Sequence, residues 1–215
     1  MTSQKATMAT TTAEPTVGRS RTGLILALSP LPFAVLVITL LTAVAASGVE
    51  DSGDITPAIM TDIRLQWIGV WIVYPLALIF GSVGMFRLFR SRRGALARGA
   101  LVATCLSVGC MLVSTALNLS LTGFSAERLG AVTRYDVALE VSLVSFWLAW
   151  VALICGGLAL RLSGVLRRTG LVVAILAALL GIVDVAGHGA VPPFVVSFLW
   201  LTLGIGLIKA RGVPS

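Results

Sequence analysis

Long apolar runs alternate with short polar segments along the 215 residues of the chain. A helix needs roughly 20 apolar residues to cross a hydrocarbon core of about 30 Å, and most of these runs reach that length. The pattern therefore predicts an all-α polytopic membrane protein, a bundle of six transmembrane helices with antiparallel neighbours. The predicted spans are residues 23–46, 65–86, 99–121, 141–160, 170–185 and 194–208.

The two ends of the chain differ from the spans. Residues 1–21 are rich in Thr, Ala and Ser and lack apolar periodicity, so we expect a disordered tail, and residues 212–215 form a second short tail. A cleaved signal peptide is the rival interpretation of the first span, because Ala43 and Ala45 form an A-x-A pattern behind basic residues. The first apolar run exceeds the typical signal length of about 7 to 15 residues, which favours a retained helix. Cleavage would leave five spans.

Charge predicts the orientation of the spans. Most of the 16 Lys and Arg residues lie before the odd-numbered spans and after the even-numbered ones, whereas most of the 9 carboxylates lie at the opposite helix ends. Basic residues are retained on the cytoplasmic side of a membrane. We therefore predict that both termini are cytoplasmic and that the protein resides in the inner membrane.

Composition supports the same class. The hydrophobic content is 57 % and the mean hydropathy is +1.00, whereas a soluble domain is usually about 45 to 50 % apolar. The net charge of +7 is predicted to face anionic lipid headgroups rather than nucleic acid, because the basic residues flank the spans. Arg greatly outnumbers Lys, a bias typical of GC-rich bacterial genomes, so we expect a bacterial source.

Small residues recur on single faces of two spans and predict the sides that pack against other helices, or against a partner subunit or second copy. They are Gly99, Ala103 and Ser107 on the third span, and Gly170, Ala174 and Ala178 on the fifth.

Four polar residues near the predicted outer surface form a candidate site. Asp184 lies about 24 Å from the basic residues that precede the fifth span, which places this carboxylate inside the hydrocarbon region. His188 follows it by one helical turn, and Glu140 and Asn118 lie at similar depth. One hypothesis is that these four residues line a crevice that binds a cation or relays protons.

The alternative interpretation is structural. Gly187, Gly189 and Pro192 indicate that the helix ends before His188, in a tight outer turn. In that case Asp184 would hydrogen-bond to a headgroup or to a neighbouring helix.

Aromatic residues suggest a second candidate site. Most of the tryptophans lie deeper than an interfacial belt requires, so their rings are predicted to face the bundle. They would either line an apolar ligand pocket or simply fill the core. The residues concerned are Tyr74, Trp71, Trp147, Trp150 and Trp200.

The sequence carries no nucleotide, metal or hydrolase motif, and its single His and three scattered Cys residues predict neither a metal site nor a cofactor. We expect a non-enzymatic membrane protein, either a small transporter-like carrier or an accessory subunit. An intramembrane enzyme that uses Asp184, His188 and Glu140, or a sensor or scaffold, is the alternative. A polar cavity would favour transport, an exposed small-residue stripe a subunit, and convergent carboxylates an enzyme.

Overall fold

A computed structural model describes residues 16–49, 59, 62–121 and 133–210, and the elements in these ranges are all α-helices. The helices are α1 Thr16–Ala27, α2 Pro30–Ser47, α3 Arg64–Phe89, α4 Ala95–Leu121, α5 Thr133–Leu162, α6 Arg167–Ala186 and α7 Phe194–Lys209. Helices α1 and α2 together form one span, Arg21–Ser47. This span and helices α3 to α6 are long and apolar enough to cross a membrane, and α7 is a shorter apolar helix. The predicted helical bundle is confirmed.

The helices extend further than the apolar pattern predicted. Helix α1 begins at Thr16, so residues 16–21 are helical rather than part of a disordered tail. Helix α5 begins at Thr133, which places Asp136 and Glu140 within its first turns and not in a loop. Hydropathy marks only the hydrocarbon-facing part of a helix, and the backbone continues into the polar interface without an apolar signal. Residues 1–15 and 212–215, predicted as tails, lie outside the described ranges.

The first span is broken between α1 and α2 at a pair of prolines. Pro30 and Pro32 lack backbone N–H groups, which interrupts the helical hydrogen bonds. Ser29 is fully buried at this point, and its hydroxyl contacts the Leu26 carbonyl at 2.7 Å and the Ser197 carbonyl of α7 at 3.1 Å. The break is therefore held against α7. Pro75 lies inside α3 without ending that helix.

The spans form a ring. Helices α1 and α2 pack on α3, α3 on α4, α4 on α5 and α5 on α6 in chain order, and the ring is closed mainly by α7 packing on α1. Helices α6 and α7 contact each other much less extensively than α4 and α5 do. Helix α7 therefore packs mainly against α1 of the first span and less against α6, its neighbour in the chain.

Glycines set the two closest helix crossings. A Cβ atom on Gly157 of α5 would lie 2.5 Å from the Gly170 carbonyl oxygen of α6, and one on Gly204 of α7 would lie 2.6 Å from the Gly23 carbonyl oxygen of α1. Only glycine permits this approach of backbone to backbone. The predicted small-residue faces of α4 and α6 are both turned toward α5.

The two ends of the bundle carry different residues. At the basic end, Arg92 follows α3 and its guanidinium donates to the Ser163 hydroxyl after α5 at 3.1 Å, which joins two turns. At the opposite, acidic end lie the exposed carboxylates Asp62, Asp136 and Glu140, and the buried carboxylate Asp184. The candidate sites lie toward the acidic end.

Candidate functional site

Asp184 is a buried carboxylate in the last turn of α6. Its residue is 2 % exposed. The indole Nε1 of Trp150 on α5 donates to Oδ2 at 2.8 Å, and the backbone N–H of Val191 donates to Oδ1 at 3.1 Å. The carboxylate therefore joins α6 both to α5 and to the segment that leads into α7.

The chain turns sharply after Asp184, so this residue and His188 do not share a helix face. Helix α6 ends at Ala186, and His188 adopts a left-handed backbone conformation with φ of 53°. The Gly189 N–H donates to the Asp184 carbonyl at 2.9 Å, and Gly189 has φ of 91°. Gly189 helps to make this turn possible, because glycine tolerates positive φ at little steric cost.

His188 lies instead on the rim beside Glu140 of α5. Its Nε2 atom is 3.4 Å from Glu140 Oε1, and the two side chains are 69 % and 57 % exposed. The His188 ring also lies edge-on to Trp147, with a centroid distance of 6.1 Å. The structure thus brings His188 and Glu140 together, but in a solvated pair apart from the carboxylate of Asp184.

The surroundings of Asp184 are unlike those of a metal site in the part of the chain that the structure describes. Within the described ranges, no Lys or Arg forms an ion pair with this carboxylate, and no group of three potential metal ligands is found. The atoms that contact Asp184 are N–H donors, whereas a hard metal cation requires several oxygen ligands.

Tyr74 connects the Asp184 region to α3. Its hydroxyl hydrogen-bonds with the Ser142 side chain of α5 and lies within electrostatic range of Asp184. The Tyr74 ring packs against Phe146 at 5.6 Å and against Trp71 at 5.4 Å. Three helices therefore contribute polar or aromatic groups at this level of the bundle.

Asn118 is fully buried in the last turns of α4. Its Nδ2 donates to the Ser114 carbonyl of its own helix at 3.0 Å. Its Oδ1 has no hydrogen-bond partner in the structure described. The described hydrogen bond of Asn118 is therefore within its own helix.

The predicted aromatic residues do not form a single pocket. Trp71 and Tyr74 are in contact, but Trp200 packs against Phe33 at 6.3 Å and covers Gly81. Trp150 covers Gly181 and bonds to Asp184, and Trp147 lies at the rim. Each deep tryptophan thus fills a different helix contact.

Two groups that contact Tyr74 or Asp184 could not be identified from the sequence. Ser142 and the Val191 N–H become visible only through the partners that they contact. Trp67 and Thr115 could have been identified from their spacing. Trp67 lies one helical turn before Trp71, and Thr115 lies one turn before Asn118.

Comparison with known proteins gives no match: no family model, curated protein or solved structure matches this chain.

Proposed function

We propose that this protein is a small transporter-like carrier of the bacterial inner membrane, and that it moves its substrate together with a proton bound at Asp184. The observation that supports this proposal is the burial of Asp184 between neutral donors. An ionised Asp costs about 2.5 to 3.5 kcal/mol at mid-membrane on insertion scales and less toward a helix end such as that of Asp184, and such residues usually mark ion or proton pathways. Protonation removes that cost.

The turn at residues 187–191 is the proposed gate. It is attached to Asp184 through the Val191 N–H and the Gly189 N–H. Because the turn follows directly on the acidic end, its displacement would break the Val191 bond and expose the carboxylate to that side. The rim pair of His188 and Glu140 would then lie beside the opening.

In the proposed orientation the basic end is cytoplasmic and both termini lie inside, with arginines at anionic headgroups. A reporter enzyme fused after Ser215 should be active in the cytoplasm. A phosphatase fusion that is active only in the periplasm would contradict this orientation.

The other function classes have weaker support. An accessory subunit would present an exposed small-residue face, but the faces on α4 and α6 turn inward onto α5. An enzyme would bring Asp184 and Glu140 together, but one is buried beside Trp150 and the other pairs with His188 at the rim.

The test is transport in proteoliposomes under an imposed proton gradient, with a panel of radiolabelled small solutes. We expect gradient-driven accumulation of at least one solute by the unaltered protein. Asp184→Asn should abolish gradient-driven accumulation but retain solute exchange, because Asn keeps an acceptor for Trp150 and cannot change its charge. Asp136→Asn, at an exposed position of α5 outside the rim pair, serves as the matched control and should transport normally.

A direct readout of proton binding is the fluorescence of Trp150. The indole is bonded to Asp184, so protonation of the carboxylate should change its emission between acid and neutral pH. This change should be absent in Asp184→Asn and in Trp150→Phe. Accumulation that persists in Asp184→Asn, or a pH response unaffected by it, would contradict the proposal.

A further inference from the structure

Buried polar atoms without hydrogen-bond partners lie on both α3 and α4 near the acidic end of the described structure. Trp67 and Trp71, one turn apart on α3, are 5 % and 3 % exposed, and their rings meet edge-on at 6.0 Å. Thr115 and Asn118 of α4 are 8 % and 0 % exposed. In the described part of the chain, neither indole Nε1, the Thr115 Oγ1 nor the Asn118 Oδ1 has a hydrogen-bond partner.

Contacts with α5 show where the aromatic side chains point. Trp71 packs against Tyr74, and Tyr74 in turn packs against Phe146 and hydrogen-bonds with Ser142, both on α5. This face of α3 is therefore turned toward α5.

The same holds for the polar face of α4. The Ser114 hydroxyl donates to the Ala138 carbonyl of α5 at 2.7 Å, and Ser114 accepts from Asn118 through its own carbonyl. Asn118 lies near the end of α4 as Trp67 lies near the start of α3, so both are at the acidic end. The unpartnered atoms thus lie at the same depth of the bundle, on sides of α3 and α4 that face α5.

Unpartnered buried polar atoms are costly, and more so in a membrane, where water is scarce. Several of them in one region indicate that something else supplies their hydrogen bonds. The two indoles are donors only and the free Asn118 Oδ1 is an acceptor only, whereas the Thr115 hydroxyl is both. A ligand that satisfies them must carry both an acceptor and a donor.

We propose that Trp67, Trp71, Thr115 and Asn118 form a binding site for a neutral organic molecule with a flat apolar body and an amide-like group. The amide carbonyl accepts from an indole N–H, and the amide N–H donates to Asn118 Oδ1. The edge-on rings of Trp67 and Trp71 accommodate the apolar body.

The test is a titration of the full chain in nanodiscs of zwitterionic lipid, followed by tryptophan fluorescence. The probes are benzamide, benzoate, benzylamine and ethylbenzene, which share a ring and differ in the polar group. We expect saturable binding of benzamide, with the other three at least about fivefold weaker, as the loss of one hydrogen bond predicts.

Variants locate the site. Asn118→Leu and Trp71→Phe should each weaken benzamide binding about fivefold and leave ethylbenzene unchanged, since each removes one hydrogen-bonding atom. Trp147→Phe is the matched control, because its indole N–H is also unpartnered but lies beside His188. It should bind benzamide normally. Thermal unfolding checks that each variant is folded, and Trp71→Phe remains informative if Asn118→Leu is not.

Non-saturable benzamide binding, equal binding of ethylbenzene, preference for either charged probe, or an equal loss in Trp147→Phe would overturn this proposal. Asp184→Asn separates it from the proton carrier. That variant should still bind benzamide, so the amide site stands or fails independently of proton coupling.

Discussion

Two helical hairpins of this protein are held together in different ways. In the hairpin of α4 and α5, each of Ser107 and Ser145 donates its hydroxyl to the other's backbone carbonyl, at 2.7 and 2.8 Å. Ser114 adds a bond to Ala138 nearer the acidic end. The helices of this hairpin therefore bind each other directly along their length.

The hairpin of α6 and α7 has few direct contacts between its helices. Helix α6 packs on α5 through Gly170 and Gly157, and α7 packs on α1 through Gly204 and Gly23. What fixes the turn between them is the carboxylate of Asp184, which holds the Val191 N–H.

The difference shows how a membrane bundle compensates for a loosely packed pair. Lipid is as apolar as the side chains, so helix association depends on close packing and polar contacts rather than on hydrophobic burial. One hairpin has both along its length. In the other, a single buried carboxylate holds the connection. Substitutions in each hairpin therefore test whether the two pairs of helices are held together in these different ways.

The largest effect is expected from Asp184→Leu. This change leaves the Trp150 indole and the Val191 N–H buried without an acceptor, at about 1 to 3 kcal/mol for each group. Hydrogen exchange should accelerate in residues 187–193 and not in α4 or α5. Asp136→Leu, at an exposed position of α5, is the control. Unchanged protection at Val191 would show that the carboxylate does not hold the turn.

Gly204→Ala should come next. The new Cβ would lie 2.4 Å from the Ala27 backbone nitrogen and 2.6 Å from the Gly23 carbonyl oxygen, so α1 and α7 must separate. We expect a loss of about 1 to 3 kcal/mol in the free energy of unfolding, measured by titration with a denaturing detergent.

The matched control for Gly204→Ala is Gly109→Ala on α4, where a Cβ meets open space. It should be neutral, or stabilise the helix by up to about 1 kcal/mol. Equal losses in the two variants would mean that the crossing of α1 and α7 is looser than the structure shows.

Ser107→Ala and Ser145→Ala should have smaller effects, about 0.6 kcal/mol each, the average for hydrogen bonds between membrane helices. Each removes one hydroxyl whose acceptor is a backbone carbonyl, and the two hydroxyls are 3.5 Å apart. The double variant should therefore be nearly additive in unfolding titrations. Ser120→Ala, an exposed residue bonded within its own helix, is the control. If the loss of stability in the double variant differs strongly from the combined losses of the single variants, the two hydroxyls contact each other more closely than the 3.5 Å of the structure.

The smallest effect is expected from Glu140→Gln at the rim. Its pair with His188 is exposed on both sides, and such ion pairs contribute at most about 1 kcal/mol. The attraction also requires a protonated His188. Unfolding measurements should show a small difference from the unaltered protein that disappears in high salt. A loss as large as that of Asp184→Leu would place Glu140 among the groups that hold the bundle.

The sequence alone predicted the class of protein and its helices. Apolar runs of membrane-spanning length identify spans because lipid forces each backbone to satisfy its own hydrogen bonds, so the helix is the local solution. The small-residue faces of α4 and α6 were also predictable, since residues four apart share a side. The predicted helix ends were less accurate, as α5 shows, because the part of a helix that lies in the polar interface carries no apolar pattern.

The contacts between side chains of different helices could not be predicted from the sequence and depend on the tertiary structure. The spacing of Asp184 and His188 suggested that they share a helix face, yet α6 ends at Ala186 and the turn that follows separates them. The Asp184 carboxylate instead accepts hydrogen bonds from Trp150 and Val191. Likewise, the chain pairs α7 with α6 in sequence, but glycine contacts pack α7 on α1. A sequence pattern reports the face of one helix at a time. Which helices pack against each other depends on how closely all of these faces can approach one another in lipid. This pairing is therefore defined only in the packed bundle.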